Sequence, residues 1–76
     1  MPHVLVKLYS GRSEQQKSAL AAEITKAVMA AVNSAEASIS VSIEDVDPDD
    51  WTEKVYKPDI AAKWDKLYKK PGYEPL

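Results

Sequence analysis

A proline follows the first methionine, and this second residue is the most reactive candidate in the chain. Bacterial-type processing removes Met1 when the next residue is small, and Pro2 qualifies. Removal exposes a secondary amine, whereas an uncleaved chain keeps that nitrogen as an amide. An α-amino group titrates near about 7.7–8.0, and an apolar pocket lowers that pKa because it disfavours the cation. Pro2 is therefore a candidate general base, although a proline at a chain end can also lack any chemical role.

Two further residues could complete a site around such a base. Arg12 is the only arginine, and its guanidinium can hold a carboxylate or stabilise an enolate oxygen. Trp51 follows an acidic turn and could wall a pocket that keeps water from the amine. The simpler alternatives are a solvated surface arginine and a core or interface tryptophan. A keto–enol tautomerase needs at least one group that moves a proton between two atoms, and an amine can do this.

The composition restricts the kinds of protein that this chain can be. Its 76 residues suit a single domain, 1–76, with 45% hydrophobic and 29% charged residues. The net charge of -2 argues against nucleic acid as a partner, because phosphate neutralisation needs a basic surface. There is no cysteine, no signal-peptide pattern and no apolar run near the ~20 residues of a membrane span. We expect a cytoplasmic protein without membrane contact, metal or cofactor.

Three segments show the periodicity of regular secondary structure. Residues 2–9 alternate as a strand with two largely apolar faces, and residues 38–46 alternate isoleucine and valine with serine and glutamate. Residues 13–33 predict a helix that starts with a capping box between Ser13 and Gln16. The predicted buried stripe of this helix consists of Leu20, Ile24, Ala27, Val28 and Ala31.

A strand, a long helix and a second strand in succession indicate how the chain folds. Such a unit is a right-handed crossover that joins parallel strands. The predicted fold class is therefore α/β (α+β), built on one β-α-β unit. Two strands under one helix make a poor free-standing sheet, so we expect other copies of the chain to extend it. A small core without disulfides supplies only roughly 3–5 kcal/mol, which also favours oligomerisation.

The C-terminal third is predicted to be helical in two pieces. Asp47 and Pro48 have the types of an N-cap and a first helical residue, so a short helix is expected to reach about Tyr56. Pro58 is expected to interrupt it, because proline lacks the amide hydrogen that an α-helix needs. A last helix is predicted over residues 58–70, where a Pro-Gly pair stops it.

The candidate residues occur in an order that resembles a known family. The features that carry the resemblance are Pro2 at the start of a strand, Gly11-Arg12-Ser13, Gln16-Lys17 and the aromatic Trp51. Together they resemble the 4-oxalocrotonate tautomerase family, in unbroken register from residue 2 to about residue 51. The resemblance implies the tautomerase β-α-β fold, with Pro2 as general base, Arg12 as substrate-binding residue and Trp51 as a hydrophobic wall.

Two departures from the family pattern narrow this interpretation. The family's best-known members carry a second arginine in the second strand, and the corresponding residue here is Ser40, which supplies no cation. The tail is predicted to be a C-terminal helix rather than a small hairpin, which resembles the dimeric phenylpyruvate tautomerase-like subgroup. That resemblance implies a homodimer that acts on 2-oxo acids such as enol-phenylpyruvate.

The sequence leaves two main functions open, besides a third, a different proline-dependent reaction such as hydration or dehalogenation, which needs an extra acid or cation that the sequence does not identify. The first is a cofactor-free tautomerase that interconverts the enol and keto forms of a small 2-oxo acid. The second is a non-catalytic oligomer that binds a small carboxylate or a protein partner on the same fold. Among the remaining polar residues, His3 could tune the pocket or lie at a surface, and Lys7 and Lys17 are expected to be solvated.

Overall fold

The first half of the chain forms one β-α-β unit. A computed structural model describes residues 1–74, with strand β1 at His3–Tyr9, helix α1 at Glu14–Val32 and strand β2 at Ser40–Val46. The two strands pair in parallel, from His3 opposite Ser40 to Tyr9 opposite Val46. A short 3₁₀ turn at Glu36–Ser38 leads into β2. The predicted β-α-β arrangement and its parallel strands are therefore confirmed.

Helix α1 begins and ends where its capping residues stand. The amide of Gln16 donates to Ser13 Oγ at 3.1 Å, and the amide of Ser13 donates to Gln16 Oε1 at 2.9 Å. These two bonds form the predicted capping box and satisfy amide hydrogens that the first helical turn leaves free. Asn33 follows the helix with a φ of 55°, a left-handed conformation that asparagine tolerates. The predicted bounds are correct to within one residue.

The buried stripe of α1 is narrower than the sequence predicts. Leu20, Ile24 and Val28 are half-buried, but Ala27 and Ala31 are exposed. The prediction for these two alanines is therefore wrong for the single chain. A sheet of two strands is too narrow to cover the whole apolar arc of a helix, so only the central row is shielded.

Lys17 links α1 to β2, so the prediction that it is solvated is wrong. Its Nζ lies 2.9 Å from Asp45 on β2 and 2.9 Å from Glu14 one helical turn earlier. The Lys17 side chain is only 15% exposed. The hydrogen bonds to Asp45 and Glu14 raise the pKa of the Lys17 ammonium, because both carboxylates favour its charged form.

The C-terminal segment is helical over 48–56, as predicted, but Pro58 does not interrupt it. A 3₁₀ turn at Pro48–Asp50 leads into a π helix at Thr52–Ala61, followed by a 3₁₀ turn at Trp64–Lys66. The prediction of one helix over 58–70 is therefore wrong.

Proline 58 explains this difference. In an α-helix its ring would meet the carbonyl four residues earlier. In a π helix the hydrogen bonds span five residues, as from the amide of Ala62 to the oxygen of Lys57 at 3.0 Å, and the wider turn carries the chain through Pro58. Lys63 then leaves helical geometry, with φ −116° and ψ 23°.

This C-terminal segment covers the face of the sheet opposite α1. The ring of Trp51 meets that of Tyr9 edge-on, with centroids 5.1 Å apart and an interplanar angle of 84°. Lys7 of β1 pairs with Asp59 of the π helix at 2.6 Å. The buried hydrophobic side chains of the described residues are Val46 and Val55, and Val55 belongs to this segment.

The single chain is flatter and more exposed than a compact monomer. Its accessible surface is 5860 Å², against about 4,600 Å² for a compact protein of this mass. Its radius of gyration is 14.0 Å, against about 11 Å for a compact chain of this length, and its shortest dimension is 18 Å. Leu5, Tyr9 and Val32 are among the large hydrophobic residues left exposed.

Within residues 1–74, no helix has the length and apolar character needed to cross a membrane.

Candidate active site

A cavity of about 380 Å³ opens where β1 ends. Its lining consists of Lys7, Leu8, Tyr9, Arg12, Trp51 and Tyr73. This volume is in the range of small-molecule sites in proteins. Two of the three residues that the sequence singles out, Arg12 and Trp51, therefore lie together in one cavity.

Arg12 occupies the loop that leads from β1 into α1. Gly11 turns the chain there with a φ of 119°, a conformation that favours glycine. One guanidinium nitrogen of Arg12 donates to the backbone oxygen of Tyr9 at 3.2 Å, which holds the side chain at the cavity mouth. Within residues 1–74, no carboxylate forms an ion pair with Arg12. Its other N–H groups are available to an anion.

Trp51 is held from two sides. Tyr9 packs edge-on against its ring, and its indole Nε1 donates to the hydroxyl of Tyr73 at 2.9 Å. Tyr73 in turn lies beside Tyr56, with ring centroids 5.8 Å apart. The sequence assigns Tyr73 no role, and the one available signal is an aromatic residue directly after the Pro-Gly pair. The cavity therefore has an aromatic wall that is fixed by a hydrogen bond.

Lys7 is a second basic side chain of the cavity, although the sequence analysis predicts that it is solvated. Its Nζ lies 2.6 Å from Asp59 Oδ2, and the two side chains are 26% and 34% exposed. The hydrogen bond that Lys7 donates to Asp59 raises the pKa of the Lys7 ammonium and outweighs its partial desolvation. Lys7 also lines a neighbouring depression of about 390 Å³, together with Asp59. The expectation that Lys7 is solvated is therefore wrong.

Pro2 lies at the opposite end of β1. It is half-buried, and its backbone oxygen accepts a hydrogen bond from the amide of Ser40 at 3.2 Å. Beside it, His3 Nδ1 and Ser40 Oγ are 2.6 Å apart, so this histidine is fixed to β2. Met1 is fully exposed. Ser40, at the position of the family's second arginine, therefore holds the start of β1 in place.

A single chain does not bring Pro2 to Arg12 and Trp51. Strand β1 has seven residues and a strand rises about 3.3 Å per residue, so its ends are roughly 20 Å apart. Pro2 precedes the first strand residue, whereas Arg12 follows the last one. The cavity thus contains a guanidinium that can bind a carboxylate and an aromatic wall, but not the N-terminal nitrogen of the same chain.

The sequence is similar to tautomerases along its whole length. The model of the family described as "Tautomerase enzyme" matches residues 2–54. A protein named "Probable tautomerase" from Xylella fastidiosa is 40% identical over 76 residues, which are 100% of this chain and 93% of that protein. "Tautomerase PptA" from Escherichia coli O127:H6 is 40% identical over 74 residues, covering 96% of this chain and 97% of its own.

Solved structures show the same fold. A 4-oxalocrotonate tautomerase isozyme from Methylibium petroleiphilum superposes with a TM-score of 0.64 at 36% identity, over 66% of this chain and 81% of its own. TomN, a 4-oxalocrotonate tautomerase homologue of the tomaymycin biosynthetic pathway, superposes with a TM-score of 0.64 at 30% identity, over 66% and 77%. These neighbours confirm the predicted tautomerase fold. The chain therefore belongs to the 4-oxalocrotonate tautomerase family, and it is an isomerase with tautomerase activity.

Proposed function

We propose that the chain interconverts the enol and keto forms of 2-oxo acids such as phenylpyruvate, without a cofactor, using the mature N-terminal Pro2 as general base and acid. The observation that carries this proposal is the cavity of about 380 Å³ beside β1. There Arg12, which forms no ion pair within residues 1–74, lies with the aromatic rings of Trp51 and Tyr73. One cation without a counter-ion in the described residues, Arg12, and aromatic walls suit an aromatic acid with one carboxylate.

The proposed reaction moves one proton off oxygen and one onto carbon. The Pro2 nitrogen removes the proton of the enol hydroxyl, and the negative charge spreads to the neighbouring carbon. The protonated amine then returns a proton to that carbon, which yields the keto acid. Arg12 binds the substrate carboxylate through N–H groups that it does not use on Tyr9. Trp51 excludes water, so the site disfavours the cationic form of the amine and keeps it unprotonated at neutral pH, ready to accept a proton.

We further propose that each active site combines two subunits of a homodimer. The support is the separation of roughly 20 Å between the ends of β1, which keeps Pro2 from the Arg12 of its own chain. The surplus of exposed surface on the single chain also favours a partner. A two-fold axis across the strand direction reverses β1, so it brings the start of one copy to the end of the other.

The test of the proposed base is the variant Pro2→Ala. It keeps an amine but changes its geometry and basicity, so kcat/KM for enol-phenylpyruvate should fall by about tenfold to a hundredfold, less than the full contribution of a positioned base because an amine remains. Intact-mass measurement should first establish that Met1 is absent from wild type and variant. Pro48→Ala is the control, because Pro48 lies on an exposed turn outside the cavity. Unchanged turnover by processed Pro2→Ala protein would contradict the mechanism.

The second function that the sequence leaves open, a non-catalytic carboxylate-binding oligomer, is disfavoured by the isomerase family to which the chain belongs. The observation in its favour is Ser40, which binds His3 and offers no cation to polarise a substrate. This candidate predicts that an aromatic carboxylate binds in the Arg12 cavity while no enol is turned over faster than in buffer. Measured turnover that depends on Pro2 would exclude it.

A further inference from the structure

The Arg12 cavity contains a second positively charged side chain besides Arg12 itself. Lys7 lines the same cavity, although β2 carries no basic residue where the family's second arginine stands. Arg12 and Lys7 would together attract a ligand with two negative charges. The cavity therefore has the side chains for a dicarboxylate, and whether it accepts one depends on how far each cation is already neutralised.

Asp59 neutralises one of these two cations. Its carboxylate is 2.6 Å from Lys7 Nζ, the distance of a strong charge-assisted hydrogen bond. Glu44 stands opposite Lys7 in the strand register, but it is exposed and does not hydrogen-bond to it. Asp59 is therefore the main counter-charge of Lys7. Arg12 has no such partner within the described chain.

The Lys7–Asp59 pair is part of the wall of the site rather than an ion pair on a remote surface. Lys7 faces the Arg12 cavity on one side and the neighbouring depression that contains Asp59 on the other, and Trp51 lines both. Asp59 comes from the π helix, whereas Lys7 comes from β1, so the C-terminal segment delivers the counter-charge to the sheet.

We propose that Asp59 determines the substrate charge of this enzyme: by neutralising Lys7 it leaves Arg12 to bind one carboxylate and makes the site select aromatic monocarboxylates over dicarboxylates. This inference rests on the proposed function, because it assigns a substrate class to the same cavity. A second ligand carboxylate near Lys7 meets the negative charge of Asp59 and gains little. Asp59 is thus a specificity-determining residue that need not touch the reacting atoms.

The test is Asp59→Asn, which removes the charge but keeps an oxygen that can accept from Lys7. Binding of phenylacetate and of para-carboxyphenylacetate is measured by calorimetry, since the two ligands differ by one carboxylate. The affinity ratio of dicarboxylate to monocarboxylate should rise by about threefold to tenfold, the effect of one charge a few ångströms away in a partly hydrated site. The ratio of kcat/KM for the corresponding enol acids should change in the same direction.

Two further variants separate charge selection from a general effect. Asp65→Asn removes one negative charge from a 3₁₀ turn outside the cavity, so its ratio should equal that of wild type. In Asp59→Asn combined with Lys7→Met, the gain should disappear, because the cation that Asp59 masks is gone. Thermal melting of each variant shows whether the C-terminal segment remains folded.

The outcomes distinguish this inference from the proposed function. A raised ratio in Asp59→Asn that Lys7→Met abolishes supports charge selection. An unchanged ratio in folded Asp59→Asn protein that still turns over enol-phenylpyruvate overturns charge selection and leaves the proposed function intact. If wild type binds neither ligand and turns over neither enol, both the inference and the proposed function are wrong.

Discussion

Val55 anchors the segment that carries the aromatic wall and the counter-charge of the site. It is 4% exposed and lies in the π helix between Trp51 and Asp59. Val55→Ala removes two methyl groups, which is about 1.6 kcal/mol of transfer free energy at about 0.8 kcal/mol each. The cavity left behind adds up to about 1 kcal/mol. We therefore expect the free energy of unfolding to fall by about 2 kcal/mol.

The matched control for this variant is Val32→Ala. It removes the same two carbons, but Val32 is 64% exposed at the end of α1, so its cost in the single chain should be under about 0.5 kcal/mol. Both variants are compared with wild type by urea unfolding at one protein concentration, because an oligomer gains stability with concentration. KM for enol-phenylpyruvate should rise in Val55→Ala, since the loosened segment holds Trp51. If Val55→Ala costs no more than Val32→Ala, Val55 does not anchor this segment.

Two further predictions concern helix packing and the subunit arrangement. The raised pKa of Lys17 means that its stabilisation is complete below the unfolded value of about 10.4 and is lost as pH rises through the folded pKa. Urea unfolding between about pH 9 and 11 should show a steeper decline in wild type than in Lys17→Met, and parallel curves would contradict this. Pro2→Ala and Arg12→Ala protein, each weakly active, should regain about a quarter of wild-type activity when refolded together, because a mixed dimer contains one intact site. No gain on mixing would contradict a site shared between subunits.

Local signals were sufficient for the β-α-β unit. Ser13 and Gln16 fix the start of α1 through bonds between residues three apart, and the alternation in β2 needs only neighbouring residues. Such contacts are encoded in the order of the chain, so periodicity and capping rules identify them. The same rules fail at Pro58, where they predict the end of a helix. They describe α-helices, whereas the chain continues through this proline as a π helix.

The details of the site depend on contacts that sequence spacing does not reveal. Lys7 and Asp59 are separated by 52 residues, and Trp51 and Tyr73 by 22. Each residue has an ordinary solvent-exposed interpretation when it is read alone. Their pairing requires that the C-terminal segment fold back across the face of the sheet opposite α1. The resemblance predicts that Arg12 and Trp51 share one site, but the counter-charge of Lys7 and the hydrogen bond from the indole to Tyr73 become visible only in the folded chain.

If Pro2 and Arg12 act in one site, as proposed, the β-α-β topology explains why that site needs two subunits. The residue before β1 and the loop after β1 lie at opposite ends of the same strand, and no side chain spans roughly 20 Å. A bend large enough to close that gap would break the pairing of β1 with β2 along its whole length. A second copy with reversed strand direction closes the gap without any such change, and two-fold symmetry then makes two equivalent sites. Under the proposed mechanism, an amine at one end of the strand and a carboxylate-binding cation at the other make catalysis depend on association of two chains.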